Sequence, residues 1–546
     1  MNGQVARSPS AGSRSGVEQG IAVSAADGTT LLVDHYHPQA SASASAGAVV
    51  WIRTPYGRQG MRSIAKRFRK RGAHVLVEAI RGTGGSGGTF DGVTFNPGDG
   101  TDVAAWLRTQ PWFPGVIVTW GLSAIGYASW ALAAVDIPEW RLAVMQDAQS
   151  ELRDGVIYSG GVFAAATMLG VVATLDWRSR HPGASLAREI LVAVRAARRV
   201  RRTLAQLPLG TADQRLVGHS VDCFQQWLAR ERDDEFWQQL NRRHDVAGMP
   251  EQVHLATGWY DMCLASTLAG YAALRAAGKT PRLVIGPWYH GRGYTDKGYR
   301  GEVDACLDAV LAGETALGGT SVRVHVGGGA DHWREVADWP PPDSAPTLWY
   351  LHPGGALSTT PAPPSAPDRY RYDPNDPTPT LGGAVENWDG QAGGKDNRRL
   401  EARPDVLTYT SDALPGDVDI IGPVTADIVL RSDREHTDIF LRLCDVDPRG
   451  RSINLCDGIR RLHPDDPPAS RQSTRHARVD LVGAAHRFRA GHRIRLQVSS
   501  GAHPRFARNP GTGAPLATAT ELRAAEQEIL HDPGHRSFVE LPTTHP

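Results

Sequence analysis

The chain has 546 residues, 41% of them hydrophobic and 21% charged, which marks a globular protein and excludes a disordered one. That length is too great for one ordinary core, so two or three domains are expected. Lys plus Arg number 59 against 58 for Asp plus Glu, a net charge of +1, which gives no electrostatic footprint for nucleic acid or an anionic membrane.

Residues 1–16 carry no apolar signal core and read as a flexible tail. No apolar stretch reaches the roughly 18 residues that span a bilayer. Ordered structure is expected from Val17. IAVSAADGTTLLVDHYHP (21–38) predicts two strands around an Asp27-Gly28 turn, and QASASASAG (39–47) a loop. AVVWIR (48–53), AHVLVEAI (73–80) and GVIVTW (115–120) read as buried strands, alternating with helices in RSIAKRFRKRG (62–72) and TDVAAWLRTQ (101–110). Continuous apolar strands between helices indicate a parallel sheet covered on both faces, an α/β core over 17–150.

From 151 to 245 the pattern turns helical, as in SLAREILVAVRAARRVRRTLAQL, and predicts an inserted helical cap. The sheet resumes over 246–338 with QVHLAT (252–257), a helix around STLAGYAALRAAG, RLVIG (282–286) and SVRVHV (321–326). From 339 to 546, Pro-rich loops separate short alternating segments. In HRIRLQV, Ile494, Leu496 and Val498 face one way and Arg493, Arg495 and Gln497 the other. Many short strands predict a jelly-roll β-sandwich. No internal repeat of fixed period is present.

The chemistry centres on WGLSAIG (120–126), where Ser123 follows a buried strand and precedes a helix. That is the setting of a nucleophile elbow, although Ile125 stands where G-x-S-x-G places its second glycine and Gly126 comes one position later. A serine N-cap is the plainer alternative. A hydroxyl needs a base and the base an orienter, in the chain order Ser, Asp or Glu, His. Asp261 follows QVHLAT in GWYD, and His290 follows RLVIG in PWYHG. All three then converge at the carboxyl edge of one sheet. Singly, Asp261 as an N-cap and His290 as a loop histidine are the simpler accounts; jointly the triad is better. His254 lies inside a strand, and both it and His332 fit the base less well.

These stretches resemble the cocaine esterase and X-Pro dipeptidyl-peptidase family of α/β-hydrolases over about 20–540. The resemblance rests on RTPYGR (53–58), RGTGGSGG (81–88), QPWFPG, WGLSAIG, GWYD, IGPWYHG and two C-terminal stretches, DIFLRLCDVDPRGRSINLCDGIRR and FRAGHRIRLQVSSGAHPRFARNPGTG. It implies an α/β-hydrolase core, an inserted helical cap and a C-terminal jelly roll. It also implies Ser123 as nucleophile, His290 as general base, Asp261 as orienter, and an oxyanion hole from the Tyr56 hydroxyl and the Ala124 N–H. Two departures stand out: Ala124 where the family usually carries an aromatic, and Ala79, beside Glu78, where it usually carries an acid.

Other signals are set aside. GTGGSG (82–87) matches a dinucleotide fingerprint, but turn-like sequence follows it, so a tight loop is expected. The arginines at 195, 198, 199, 201 and 202 read as a solvated helix face. Asp99 and Asp102 read as helix-start carboxylates, with a calcium role the alternative. WREVADWPPP (333–342) reads as packing, with cleft lining the alternative. The five cysteines, Cys223, Cys263, Cys306, Cys444 and Cys456, form no disulfide framework and no zinc spacing, so no metal or cofactor is expected and a cytoplasmic location is favoured. The expected activity is a serine hydrolase acting on a small-molecule ester, amide or peptide, without nucleic acid or membrane partners; a homodimer is left open. The alternatives are an X-Pro dipeptidyl-peptidase, for which Asp154 and Asp176 are cap carboxylates to hold a substrate ammonium, an acyltransferase, and a carbohydrate-binding protein.

Overall fold

The computed structural model describes residues 16–39, 47–181, 186–232, 234–318, 321–329, 332–386, 390–466 and 474–544, the side chains of 179 and 186–194 excepted. The expected N-terminal tail, apart from Gly16, and most of the 39–47 loop lie outside the described residues.

In chain order the first strands are β1 (Val17–Ser24), β2 (Thr30–Tyr36), β3 (Val49–Thr54), β4 (His74–Ala79), β5 (Ile117–Leu122) and β6 (Trp140–Gln146). A hairpin of β7 (Tyr158–Ser159) and β8 (Val162–Phe163) follows, then β9 (Gln252–Tyr260), β10 (Arg282–Tyr289), β11 (Ser321–Val326) and β12 (His332–Val336). All but the hairpin join one sheet in the order β1-β2-β4-β3-β5-β6-β9-β10-β11-β12. From β4 to β11 every pairing is parallel, with antiparallel strands at both edges.

Every residue of β3 is buried because helices cover both faces. On one face, Ile64 and Phe68 of α1 (Arg62–Arg69) pack with Val50, Ile52 and Val303. On the other, α2 (Pro97–Arg108) and α3 (Ala124–Leu132) pack Val103, Leu107, Tyr127 and Trp130 against Trp51 and Met145. α2 starts four residues before the predicted TDVAAWLRTQ: Asn96 caps it by accepting from the Gly98 N–H at 2.9 Å, and Pro97 suits the first turn. β6 was not predicted; exposed Arg141 interrupts its apolar run.

Between β6 and β9 lie the short hairpin and α4 (Ala165–Arg180), α5 (Leu186–Leu204), α6 (Ala212–Val217), α7 (Asp222–Ala229) and α8 (Asp234–Gln238). The five arginines at 195, 198, 199, 201 and 202 are exposed on α5, as a solvated face requires. The core resumes with α9 (Leu264–Ala276) and α10 (Lys297–Leu311).

Among the described residues, thirteen strands between Ser344 and Thr544 form the C-terminal β-rich domain. Its core includes Ile494, Leu496 and Val498, the apolar face read from HRIRLQV. The other face of that strand is covered only in part: Arg493 is exposed and Arg495 half-buried. Gln497 is 2% exposed, and its amide donates to Glu401 Oε1 at 2.8 Å and to Cys444 Sγ at 3.3 Å.

Candidate active site

Ser123 joins β5 to α3 with φ 58° and ψ −127°, a left-handed turn that a side chain adopts only when its surroundings enforce it. Its side chain makes no capping hydrogen bond, so the N-cap alternative fails. The glycines explain how the turn closes. A Cβ on Gly121 would lie 2.4 Å from the Gly126 nitrogen, and a Cβ on Gly126 would lie 2.4 Å from the Ala148 Cβ. Thus strand, helix and the segment after β6 meet where only glycine fits. The displaced second glycine of the motif serves contact with Ala148, and Ile125 packs into the core instead.

β9 and β10 run further than predicted and end at Tyr260 and Tyr289, so Asp261 and His290 stand directly at two strand ends. His290 Nε2 lies 3.0 Å from Ser123 Oγ, and His290 Nδ1 lies 3.0 Å from Asp261 Oδ2. Asp261 is 1% exposed, and its Oδ1 accepts from the Cys263 N–H at 2.6 Å. One oxygen therefore caps the turn into α9 while the other faces the imidazole. Burial disfavours the imidazolium, but the Asp261 carboxylate outweighs it and holds the His290 pKa well above its ordinary value.

The phenol of Tyr56 lies beside Ser123 and His290, and burial raises its pKa, keeping it protonated. The Arg178 guanidinium of α4 stacks 4.2 Å from the centre of its ring. The Ala124 N–H opens α3 beside the serine, where the helix dipole is positive. A carboxylate from the C-terminal domain joins them: Glu386 senses the charges of His290 and Asp261, and burial raises its pKa. Neither Arg178 nor Glu386 was singled out in the sequence, since nothing local marks them.

Asp147 was also missed. It follows β6 at φ 48°, is fully buried, and its Oδ2 accepts from the Gly291 N–H at 2.8 Å and from Gln146 Nε2 at 3.0 Å. Burial and the adjoining Asp261 push its pKa well above the carboxylate range. An acid directly after a strand at the catalytic edge was the available signal, hidden because β6 itself was unrecognised.

The remaining predicted residues lie elsewhere. His254 points toward α10, 3.0 Å from Glu302, and His332 begins the edge strand β12. Asp154 pairs with Arg153, while Asp176 pairs with Arg180 and stands near His219. Glu78 is buried against Arg53 and the Trp51 indole, each at 2.9 Å, so the buried ion pair is present with Ala79 beside it. Residues 82–87 form a tight loop closed by the Gly82 N–H on Gly87 O at 2.8 Å. Asp99 pairs with Arg81, and Asp102 accepts from the Ala26 N–H. Within WREVADWPPP, Trp339 lies against Trp259 and Asp338 pairs with Arg275, while Trp333 stays exposed.

Residues 27–292 match the family model of X-Pro dipeptidyl-peptidase (S15 family), and residues 319–540 that of the X-Pro dipeptidyl-peptidase C-terminal non-catalytic domain. The cocaine esterase of Rhodococcus sp. (strain MB1 Bresler) is 30% identical over 96% of this chain and 98% of its own. The fold is shared with an aminopeptidase from the marine sediment archaeon Thaumarchaeota archaeon (TM-score 0.81, 19% identity, 100% of this chain and 99% of that one). It is shared as well with an α-amino acid ester hydrolase (TM-score 0.79, 19% identity, 98% of each chain). The chain belongs to the cocaine esterase and X-Pro dipeptidyl-peptidase family of α/β-hydrolases and is a serine hydrolase acting on esters or amides.

Proposed function

We propose that Ser123 attacks the substrate carbonyl while His290 takes its proton, and that Asp261 orients the imidazole and stabilises its charged form. His290 then returns the proton to the leaving alcohol or amine, and water resolves the acyl-enzyme by the same path. The Tyr56 hydroxyl and the Ala124 N–H hold the oxyanion, each donor lowering the barrier by roughly 2.7 to 4 kcal/mol. The observation that carries this reading is the unbroken relay from Ser123 through His290 to Asp261, with both contacts at 3.0 Å.

We favour a carboxylic ester as substrate, because the relative aligned over nearly the whole chain is named an esterase. The second reading, removal of a dipeptide from a free N-terminus, draws on Glu386, a carboxylate near the reacting groups that suits a substrate ammonium. A panel of p-nitrophenyl esters against Ala-Pro-p-nitroanilide separates the two, with Ser123→Ala as control. Ester turnover that the control lacks supports the first reading. Faster cleavage of the anilide reverses the preference, and activity surviving in Ser123→Ala removes Ser123 as nucleophile.

We further infer a division into hydrolase core (17–150 and 246–338), helical cap (151–245) and jelly roll (339–546). Five buried, unpaired cysteines favour a reducing, cytoplasmic setting. No helix among the described residues is long and apolar enough to cross a membrane.

A further inference from the structure

Three histidines gather at the rim of the sheet opposite Ser123. His35 lies in β2, His37 just beyond its end, and His74 opens β4, the antiparallel neighbour of β2. Tyr36 pairs with Val75, so the register sets His37 beside His74, with His35 two residues back on the same face. One ring nitrogen from each histidine lies within 4.8 Å of the other two, and His35 Nε2 is 3.0 Å from His74 Nδ1. Trp112 stacks on His35 at 3.7 Å and on His74 at 5.0 Å, holding the two rings near one plane. His37 meets His35 at 46°, and its Nε2 lies 2.6 Å from Glu18 Oε1 in β1.

A neutral hydrogen-bonded pair is the plain account of His35 and His74. It does not account for the third ring, His37, which brings a nitrogen within 4.8 Å of the other two.

We propose that His35, His37 and His74 form a binding site for a borderline divalent cation of the Zn²⁺ class, with Glu18 orienting His37. Two histidines alternating on one strand and a third on the next place three imidazoles on one face. Zinc–nitrogen bonds of about 2.0–2.1 Å set ligand nitrogens roughly 3.3 Å apart in a tetrahedron. The His35–His74 pair is already close to that spacing, and side-chain rotation brings in His37. A carboxylate on the far nitrogen of a ligating histidine is the common outer partner of such sites. An all-imidazole set selects Zn²⁺, Co²⁺, Ni²⁺ or Cu²⁺ over Mg²⁺ or Ca²⁺. The cation ties β1, β2 and β4 together. It takes no part in hydrolysis, because His74 begins a parallel strand whereas Ser123 follows the end of one.

The test titrates untagged full-length protein with Co²⁺ and follows the visible d–d absorption of a tetrahedral site, with Zn²⁺ as competitor. One equivalent of Co²⁺ is expected to bind and to be displaced by Zn²⁺, and Zn²⁺ but not Mg²⁺ is expected to raise Tm. His37→Gln and His74→Ala are expected to abolish both effects while keeping wild-type ester turnover. The half-exposed His37 variant carries the result if His74→Ala misfolds, with circular dichroism reporting the fold. Absence of the Co²⁺ spectrum in wild type, its persistence in His37→Gln, or an equal Tm shift from Mg²⁺ overturns the site.

Discussion

At the residue scale, the account assigns separate tasks to groups within one hydrogen-bonded cluster. Tyr56→Phe keeps the ring beneath Arg178 and removes only the donor, so kcat is expected to fall about 10²–10³-fold with little change in KM. Steady-state kinetics on one ester checks this; a change confined to KM would instead make Tyr56 a binding residue. The pH profile tests the partner of His290. Because Asp261 holds the imidazole pKa above its ordinary value, kcat/KM of the wild type is expected to rise with pH through an inflection above the ordinary imidazole range. Asp261→Asn removes the charge that favours the imidazolium, so the inflection should move down, and kcat should drop by about 10⁴. An inflection that stays in place would show that another group sets it. Ser123, Asp261 and His290, the proposed triad, were legible because each follows a recognisable strand. Asp147, Arg178 and Glu386 were not, because their proximity depends on a missed strand, a cap helix and a distant domain.

At the element scale, α10 is held to the sheet by Glu302. Its carboxylate meets His254 of β9 at 3.0 Å and Arg323 of β11 at 3.2 Å, and it also pairs with Arg282 of β10. Burial works against its charge, but hydrogen bonds from His254 and Arg282 outweigh it and bring the pKa down to about 2. A depressed carboxylate pKa stabilises the fold above the unfolded value, near 4.3, and that stabilisation is lost as pH falls toward about 2. Glu302→Gln is therefore expected to cost about 3 kcal/mol at pH 7 by urea unfolding, with the difference from wild type shrinking below about pH 4. A pH-independent difference would mean that lost packing, not charge, is responsible. Element types were largely readable here, since buried parallel strands and amphipathic helices leave distinct periodicities. Strand ends were read short at Gly-Trp-Tyr and Pro-Trp-Tyr, where aromatic and glycine residues continue the ladder of β9 and β10 beyond the aliphatic run.

At the scale of the whole molecule, the cap and the C-terminal domain interlock beside the catalytic edge. The turn between β7 and β8 sits so close to the C-terminal strand Ser452–Leu462 that a Cβ on Gly160 would fall 1.8 Å from Ile459 O. Arg461 of that strand donates its N–H to Gly160 O, pairs with Asp438 at 2.9 Å and reaches Glu231 of the cap at 3.3 Å. Arg461→Ala leaves the buried Asp438 without its charge partner, and a loss of about 3–5 kcal/mol in unfolding free energy is expected; a loss below about 1 kcal/mol would show that the contact does not couple the two parts. Such long-range contacts leave no trace in local sequence, which is why a C-terminal carboxylate near His290 was not foreseen. The most direct test of the relay is peptide mapping after reaction with a fluorophosphonate. The account predicts a single adduct on Ser123, formed faster as His290 loses its proton and nearly abolished in His290→Ala. Labelling of another residue, or unchanged labelling of Ser123 in the His290 variant, would contradict it.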